Sequence, residues 1–190
     1  MMVSKSSDTI WDLPLRIFHW SLATLVITNL IIGEISPADM SLHFYIGYGI
    51  IGLLVFRVIW GLIGPKNARF VNFIYGPRTT FSYLKTLPMR KPSHWVGHNP
   101  MGALSVFALL GLLGIQSLSG LFADPEDYIN AGPFADQVDA ATNQMASGWH
   151  ETLSSLLIVL VVLHIGAILF YKFWKKDDLI TPMVTGKRRP

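Results

Sequence analysis

The chain alternates between long apolar stretches and shorter polar segments. Four stretches reach the length that a helix needs to cross a bilayer, about 20 residues, and they are Leu15–Gly33, Leu42–Ile63, Met101–Phe122 and Trp149–Trp174. None has the polar face that a helix in a soluble bundle presents to water. The pattern predicts an all-α integral membrane four-helix bundle, formed as a single domain by residues 1–190. The first stretch lacks a small-residue cleavage site, so we do not expect it to be a removable signal peptide.

The charged residues predict how these spans are oriented. Every Lys and Arg lies in the N-terminus, the segment 64–100 or the C-terminal end, except Arg57, which lies near the same end of the second span. The segments 34–41 and 123–148 contain no basic residue. They carry the carboxylates Glu34, Asp39, Asp124, Glu126, Asp127, Asp136 and Asp139. The positive-inside rule therefore predicts that both termini and the segment 64–100 are cytoplasmic.

The composition agrees with a membrane protein and narrows its chemistry. Of the 190 residues, 51% are hydrophobic and 14% are charged, and the mean hydropathy is +0.43. Soluble domains approach a quarter charged residues. The chain has no cysteine, which excludes thiolate metal sites, iron–sulfur clusters and covalently attached c-type haem. The basic side is expected to meet anionic lipid headgroups rather than nucleic acid.

Four of the six histidines lie in the predicted spans, where ionisable side chains are costly and usually functional. His150 and His164 are fourteen residues apart on the fourth span. At about 100° and 1.5 Å per residue, both leave nearly the same helix face, about 21 Å apart along the axis. This spacing predicts two stacked ligand sites, because the ligands of a single metal ion on a helix sit three or four residues apart.

Each of these sites needs a second ligand from another span. His43 begins the second span at the outer level of His150, and His19 lies one turn into the first span, towards the inner level of His164. The predicted pairs are thus His43 with His150 and His19 with His164. A pair of histidines is a poor zinc site, since zinc takes three or four ligands. It suits the two axial positions of a haem iron, whose other ligands come from the porphyrin.

Three further side chains have open interpretations. Arg57 stands fourteen residues from His43, so it either faces the inner site, where it would hold a haem propionate, or snorkels at the helix end. His98 opens the third span, either as a quinone-headgroup contact or as an interfacial anchor. If quinone reacts, His98 and Glu151 are the candidates for handling protons.

Four segments resemble the bacterial cytochrome b561 family, in the branch related to hydrogenase cytochrome b subunits. They are LRIFHW, LHFYIGYGIIGLLVFRVIWGLIG, GHNPMGALSVFALLGLLGIQSLSGLFADPEDY and GWHETLSSLLIVLVVLHIGAILFYKFWKKDDLITPMVTGKR. The resemblance covers nearly the whole chain. It implies a bundle with two b-type haems, bound by one histidine each from the first and second helices and two from the fourth. The corresponding positions are His19, His43, His150 and His164.

The family passes electrons between the quinone pool and an outer partner, so the resemblance implies a dihaem cytochrome b in the bacterial inner membrane. The acidic outer segments favour a basic periplasmic partner such as a cytochrome c, and the segment 123–148 is long enough for a folded cap or docking surface. Three alternatives stay open: a superoxide:quinone oxidoreductase, the membrane anchor of a larger redox enzyme, and a haem-free transporter. Whether the chain catalyses a reaction or forms a homo-oligomer is open too.

Overall fold

The computed structural model describes residues 9–35, 40–91, 95–124 and 130–187. These residues form α-helices, two short 3₁₀ turns and no β-strand. The helices are α1 Leu13–Ile35, α2 Ser41–Ile63, α3 Pro77–Leu84, α4 Pro100–Phe122, α5 Ala140–Phe173 and α6 Ile180–Thr185. Among the charged residues that predict orientation, Lys5, Asp39, Glu126, Asp127, Arg188 and Arg189 lie outside the described residues.

The four predicted spans are confirmed as α1, α2, α4 and α5, all long and apolar enough to cross a membrane. Only 11% to 17% of the residues in each apolar window are buried within the protein. Most residues in these windows are therefore at least partly exposed, as expected where lipid tails rather than water surround the helices. The first three spans agree with the sequence prediction to within two residues at each end.

The fourth span begins earlier than predicted. Helix α5 starts at Ala140, nine residues before the expected start at Trp149. The Asp139 side chain caps it, because its Oδ1 accepts a hydrogen bond from the backbone N–H of Thr142 at 2.7 Å. Residues 140–148 of the segment 123–148 therefore belong to α5. The added turns contain Thr, Asn, Gln and Ser, so hydropathy did not reveal them.

The described residues divide into two compact units, and each long helix contributes a segment to both. The terminal unit contains residues 9–19, 57–91, 95–106 and 164–187, and the pocket unit contains residues 20–35, 40–56, 107–124 and 130–163. The pocket unit is held by an apolar core from all four long helices. Its buried members are Val26, Ile50, Leu112, Leu113, Leu153 and Leu157.

Hydrogen bonds between distant parts of the chain hold the terminal unit together. Near the N-terminus, the backbone N–H of Ile10 donates to the carbonyl of Gly186 at 2.8 Å, and the Trp60 indole donates to Asp12 at 3.0 Å. Towards the end of the chain, Lys175 is 3% exposed. Its ammonium donates to the carbonyls of Thr86 and Met89, both at 3.0 Å, which ties the C-terminal end to the segment between α3 and α4.

Candidate functional site

A cavity of about 760 Å³ lies within the pocket unit. Its volume falls in the range of about 300–1,000 Å³ that is usual for cofactor and ligand sites. All four long helices line it, and the loop between α4 and α5 closes part of its wall through Ala123 and Asn130. Both histidines of the predicted outer pair, His43 and His150, are among the lining residues.

The spacing of the two imidazole rings would suit one metal ion between them. The ring centroids of His43 and His150 are 6.0 Å apart, and the ring planes are inclined by 75°. With a metal–nitrogen bond of about 2 Å on each side and the ring centre about 1 Å behind the nitrogen, axial imidazoles have centroids about 6 Å apart. The observed spacing is therefore compatible with an axial pair.

Helix α4 fixes the protonation of His150. The Nδ1 atom of His150 lies 3.0 Å from the backbone carbonyl oxygen of Gln116. Because a carbonyl can only accept, Nδ1 carries the proton and Nε2 keeps its lone pair. This is the form that can bind a metal through Nε2, with the second nitrogen held by an outer hydrogen bond. The Ser119 hydroxyl, 3.2 Å from the same Nδ1, donates to the same carbonyl at 2.9 Å.

Gly120 makes room for the His150 ring. A Cβ atom at position 120 would lie 2.7 Å from Cε1 and 3.0 Å from Nδ1 of His150, closer than carbon atoms pack. Gly33 is less crowded: its Cβ would stand at an ordinary contact distance of 3.5 Å from His43.

Within the described residues, the Oε1 atom of Gln116 is buried without a hydrogen-bond partner. The cavity wall thus offers a polar atom that no described protein group satisfies.

The predicted inner pair lies in the terminal unit. His19 is on α1 and His164 is on α5. The Nδ1 atom of His164 is 3.2 Å from the hydroxyl of Ser105, on the first turns of α4. The structure thus places each predicted pair within one unit, His43 with His150 in the pocket unit and His19 with His164 in the terminal unit.

Arg57 does not reach the surface. The side chain is 2% exposed, and its guanidinium carbon lies 4.3 Å from the centre of the Phe70 ring, within the range of a cation–π contact. Gly61 leaves space for that ring, since a Cβ there would overlap Phe70. The Nη1 atom is buried without a hydrogen-bond partner among the described residues. A buried cation of this kind needs an anionic or polar partner, and the snorkelling interpretation does not describe it.

His98 is packed between aromatic rings rather than displayed at a surface. Its ring centroid is 4.6 Å from that of Trp11 and 4.5 Å from that of Phe73. Burial lowers the pKa of His98 to about 3, and the positive charge of Arg57 also lowers it. His98 is therefore neutral at physiological pH. The next residue, Asn99, caps α4 by accepting the backbone N–H of Gly102 at 2.8 Å.

Other metal chemistry finds little support in the described part of the chain. No three His, Asp or Glu side chains there come together as a metal-ligating group. Structural and catalytic zinc sites take at least three protein ligands. Paired histidines beside a large cavity suit a cofactor that brings its own equatorial ligands.

Sequence reasoning singled out the histidines and Arg57 as candidates but missed the groups around them. Ser119, Gly120 and the Gln116 carbonyl were not singled out. One signal was available: Ser105 and Ser119 are fourteen residues apart on α4, the same spacing as His150 and His164 on α5. Gly120 carries no such signal, because several glycines occur on the same helices.

The chain is similar to known proteins of one family. The profile of the prokaryotic cytochrome b561 family matches residues 10–186. A probable Ni/Fe-hydrogenase B-type cytochrome subunit of Rhizobium leguminosarum bv. viciae is 24% identical over 98% of this chain and 90% of its own length. A protein of the same description from Azotobacter chroococcum mcd 1 is 25% identical over 94% of this chain and 87% of its own length. Another, from Cupriavidus necator, is 22% identical over 97% of this chain and 88% of its own length. No solved structure matches the chain.

The family match spans nearly all of the described residues and both pairs of histidines. Members of this family are b-type cytochromes, so haem b is the cofactor that the match implies. The chain belongs to the prokaryotic cytochrome b561 family, in its hydrogenase cytochrome b branch, and is a multi-pass electron-transfer protein of the bacterial inner membrane.

Proposed function

We propose that this cytochrome binds two haem b groups and carries electrons across the membrane between the quinone pool and a periplasmic redox partner. His43 and His150 hold one haem, and His19 and His164 hold the other. The observation that carries the proposal is the outer pair: two imidazoles 6.0 Å apart line a cavity of about 760 Å³. When bound, each haem supplies a one-electron carrier, and the protein provides ligation, insulation and tuning.

The chain's own side chains have distinct parts in this proposal. The Gln116 carbonyl keeps the proton of His150 on Nδ1, which leaves the lone pair of Nε2 free to bind iron. Arg57, buried with its Nη1 unsatisfied by any described group, binds a propionate of the haem held by His19 and His164. A haem held by two histidines would have no open coordination position on its iron, and this favours electron transfer over oxygen activation.

The partner is expected to be a basic redox protein such as a cytochrome c. In the proposed orientation, the segment 130–149 faces the periplasm and carries Asp136 and Asp139 but no Lys or Arg. Phe134, Met145 and Trp149 of the same segment are exposed. A segment with carboxylates and exposed apolar side chains suits a partner with basic residues around its own redox centre. The same charges repel an anion, which disfavours superoxide as the donor.

A second candidate places the chain as a subunit of a larger redox enzyme. The names of the relatives favour it, because the matched proteins are described as probable Ni/Fe-hydrogenase cytochrome subunits and align over 87% to 90% of their length. The chemistry within the membrane would be unchanged, and only the periplasmic partner would differ. Mild-detergent purification distinguishes the two: a stoichiometric redox subunit in the complex would favour the second candidate.

Haem quantification per chain, with a reduced-minus-oxidised spectrum, tests the proposal directly. The wild type should contain two low-spin b haems, and His43→Ala and His164→Ala should each lose a different one. His98→Gln is the matched control, because it also removes an imidazole but should keep both haems. One haem in the wild type, or a colourless protein from haem-replete cells, would overturn the dihaem assignment.

A further inference from the structure

Helices α4 and α5 repeat one contact in both units. Ser105 lies 3.2 Å from Nδ1 of His164 in the terminal unit, and Ser119 lies 3.2 Å from Nδ1 of His150 in the pocket unit. The serines and the histidines are each fourteen residues apart. The two contacts look alike, yet their surroundings differ.

His150 has a second and stronger acceptor. Its Nδ1 lies 3.0 Å from the Gln116 carbonyl oxygen, which also accepts the Ser119 hydroxyl proton. Loss of the Ser119 hydroxyl would leave the carbonyl in place. For His164, the Ser105 hydroxyl is the one hydrogen-bond partner of Nδ1 that the described residues provide.

We propose that Ser105 is the positioning residue of His164, whereas Ser119 is dispensable for His150. The inference rests on the proposed function, in which both histidines are axial ligands. A histidine that binds iron through Nε2 carries its proton on Nδ1, so ligation makes His164 the donor and the Ser105 oxygen the acceptor. In the opposite arrangement, Ser105 would donate to Nδ1 and Nε2 would carry the proton, which prevents ligation.

This hydrogen bond should tune the haem as well as orient the ring. An acceptor at Nδ1–H makes the imidazole a more basic ligand, and a more basic ligand stabilises ferric over ferrous iron. Removal of the Ser105 oxygen should therefore raise the midpoint potential of the haem held by His164. Removal of the Ser119 oxygen frees the Gln116 carbonyl from a competing donor, so the other haem should hardly respond.

Redox titration of Ser105→Ala, Ser119→Ala and Ser105→Thr tests this difference. The midpoint that is lost in His164→Ala identifies the haem of the terminal unit. In Ser105→Ala we expect its oxidised-to-reduced equilibrium to shift about tenfold towards the reduced form, about 59 mV for one electron. Ser105→Thr keeps the hydroxyl and should restore the wild-type potential, and Ser119→Ala should change the other equilibrium by less than about twofold.

The outcomes separate the inference from the proposed function. A wild type with fewer than two haems refutes the proposed function itself. Two haems per chain with an unchanged potential in Ser105→Ala refute only the role of Ser105. Equal shifts in Ser105→Ala and Ser119→Ala would also refute the inference, because the Gln116 carbonyl would then provide no substitute for the serine.

Discussion

Gly120 offers the sharpest test of how the pocket unit holds its cofactor. In Gly120→Ala the new Cβ would stand 2.7 Å from Cε1 of His150, whereas ordinary contacts begin at 3.4 Å. The ring would have to move by about 0.7 Å, the difference between these distances, or the two helices would have to separate. Because Nδ1 is held at 3.0 Å from the Gln116 carbonyl, a shift of the ring also strains that hydrogen bond.

The size of the effect follows from the cost of overpacking. An extra methyl group in a well-packed site costs about 1–3 kcal/mol. Since about 1.4 kcal/mol is tenfold in an equilibrium constant, a cost that falls on the haem-bound state weakens binding about 5- to 150-fold. Loss of ring orientation alone has a comparable effect, about 10- to 100-fold, when an outer hydrogen bond of a metal ligand is removed.

The assay is haem content per chain for protein produced with limiting haem, followed by a redox titration. Gly120→Ala should lose or shift the haem bound by His43 and His150, and should leave the other haem unchanged. Gly111→Ala is the matched control. Gly111 lies on the same helix as Gly120, and a Cβ there would meet nothing within 4 Å. If Gly120→Ala keeps both haems at wild-type potentials, the glycine does not provide space for the ligand and the reasoning is wrong.

Two further predictions concern Lys175, near the C-terminal end of the chain, and Asp139, at the start of α5. In Lys175→Met, two backbone carbonyls between α3 and α4 lose their buried hydrogen-bond donor. Each unsatisfied carbonyl costs about 1–3 kcal/mol of stability, so the apparent Tm in detergent should fall by several degrees. Lys172 is exposed, and Lys172→Met should leave the Tm unchanged. In Asp139→Ala, amide hydrogen exchange in the first turn of α5 should accelerate at pH 7. Hydrogen bonds from Thr142 lower the pKa of the Asp139 carboxyl, so the cap is present above the unfolded-state pKa and is lost as pH falls through the lowered one. An exchange difference that persists in strong acid would refute that explanation.

The start of α5 shows where sequence reasoning reached its limit. The apolar part of α5 was predictable because the bilayer requires a long run of apolar residues. The turns from Ala140 to Gly148 are polar and lie beyond that run, so their helicity depends on the Asp139 cap and on tertiary contacts. One is the hydroxyl of Ser147, which donates to the Asp124 carbonyl at 3.1 Å.

The sequence by itself determined the four spans and predicted the pairing of histidines. Both follow from properties that can be read along a single helix. The thickness of the bilayer sets the length of each span, and the helical period places residues fourteen positions apart on nearly one face. The tertiary structure decided which groups surround the rings. The Gln116 carbonyl faces His150 and the Ser105 hydroxyl faces His164, because the rotation of α4 against α5 within each unit selects the partner of each Nδ1. That rotation depends on side-chain packing between helices, which spacing along a single helix does not contain.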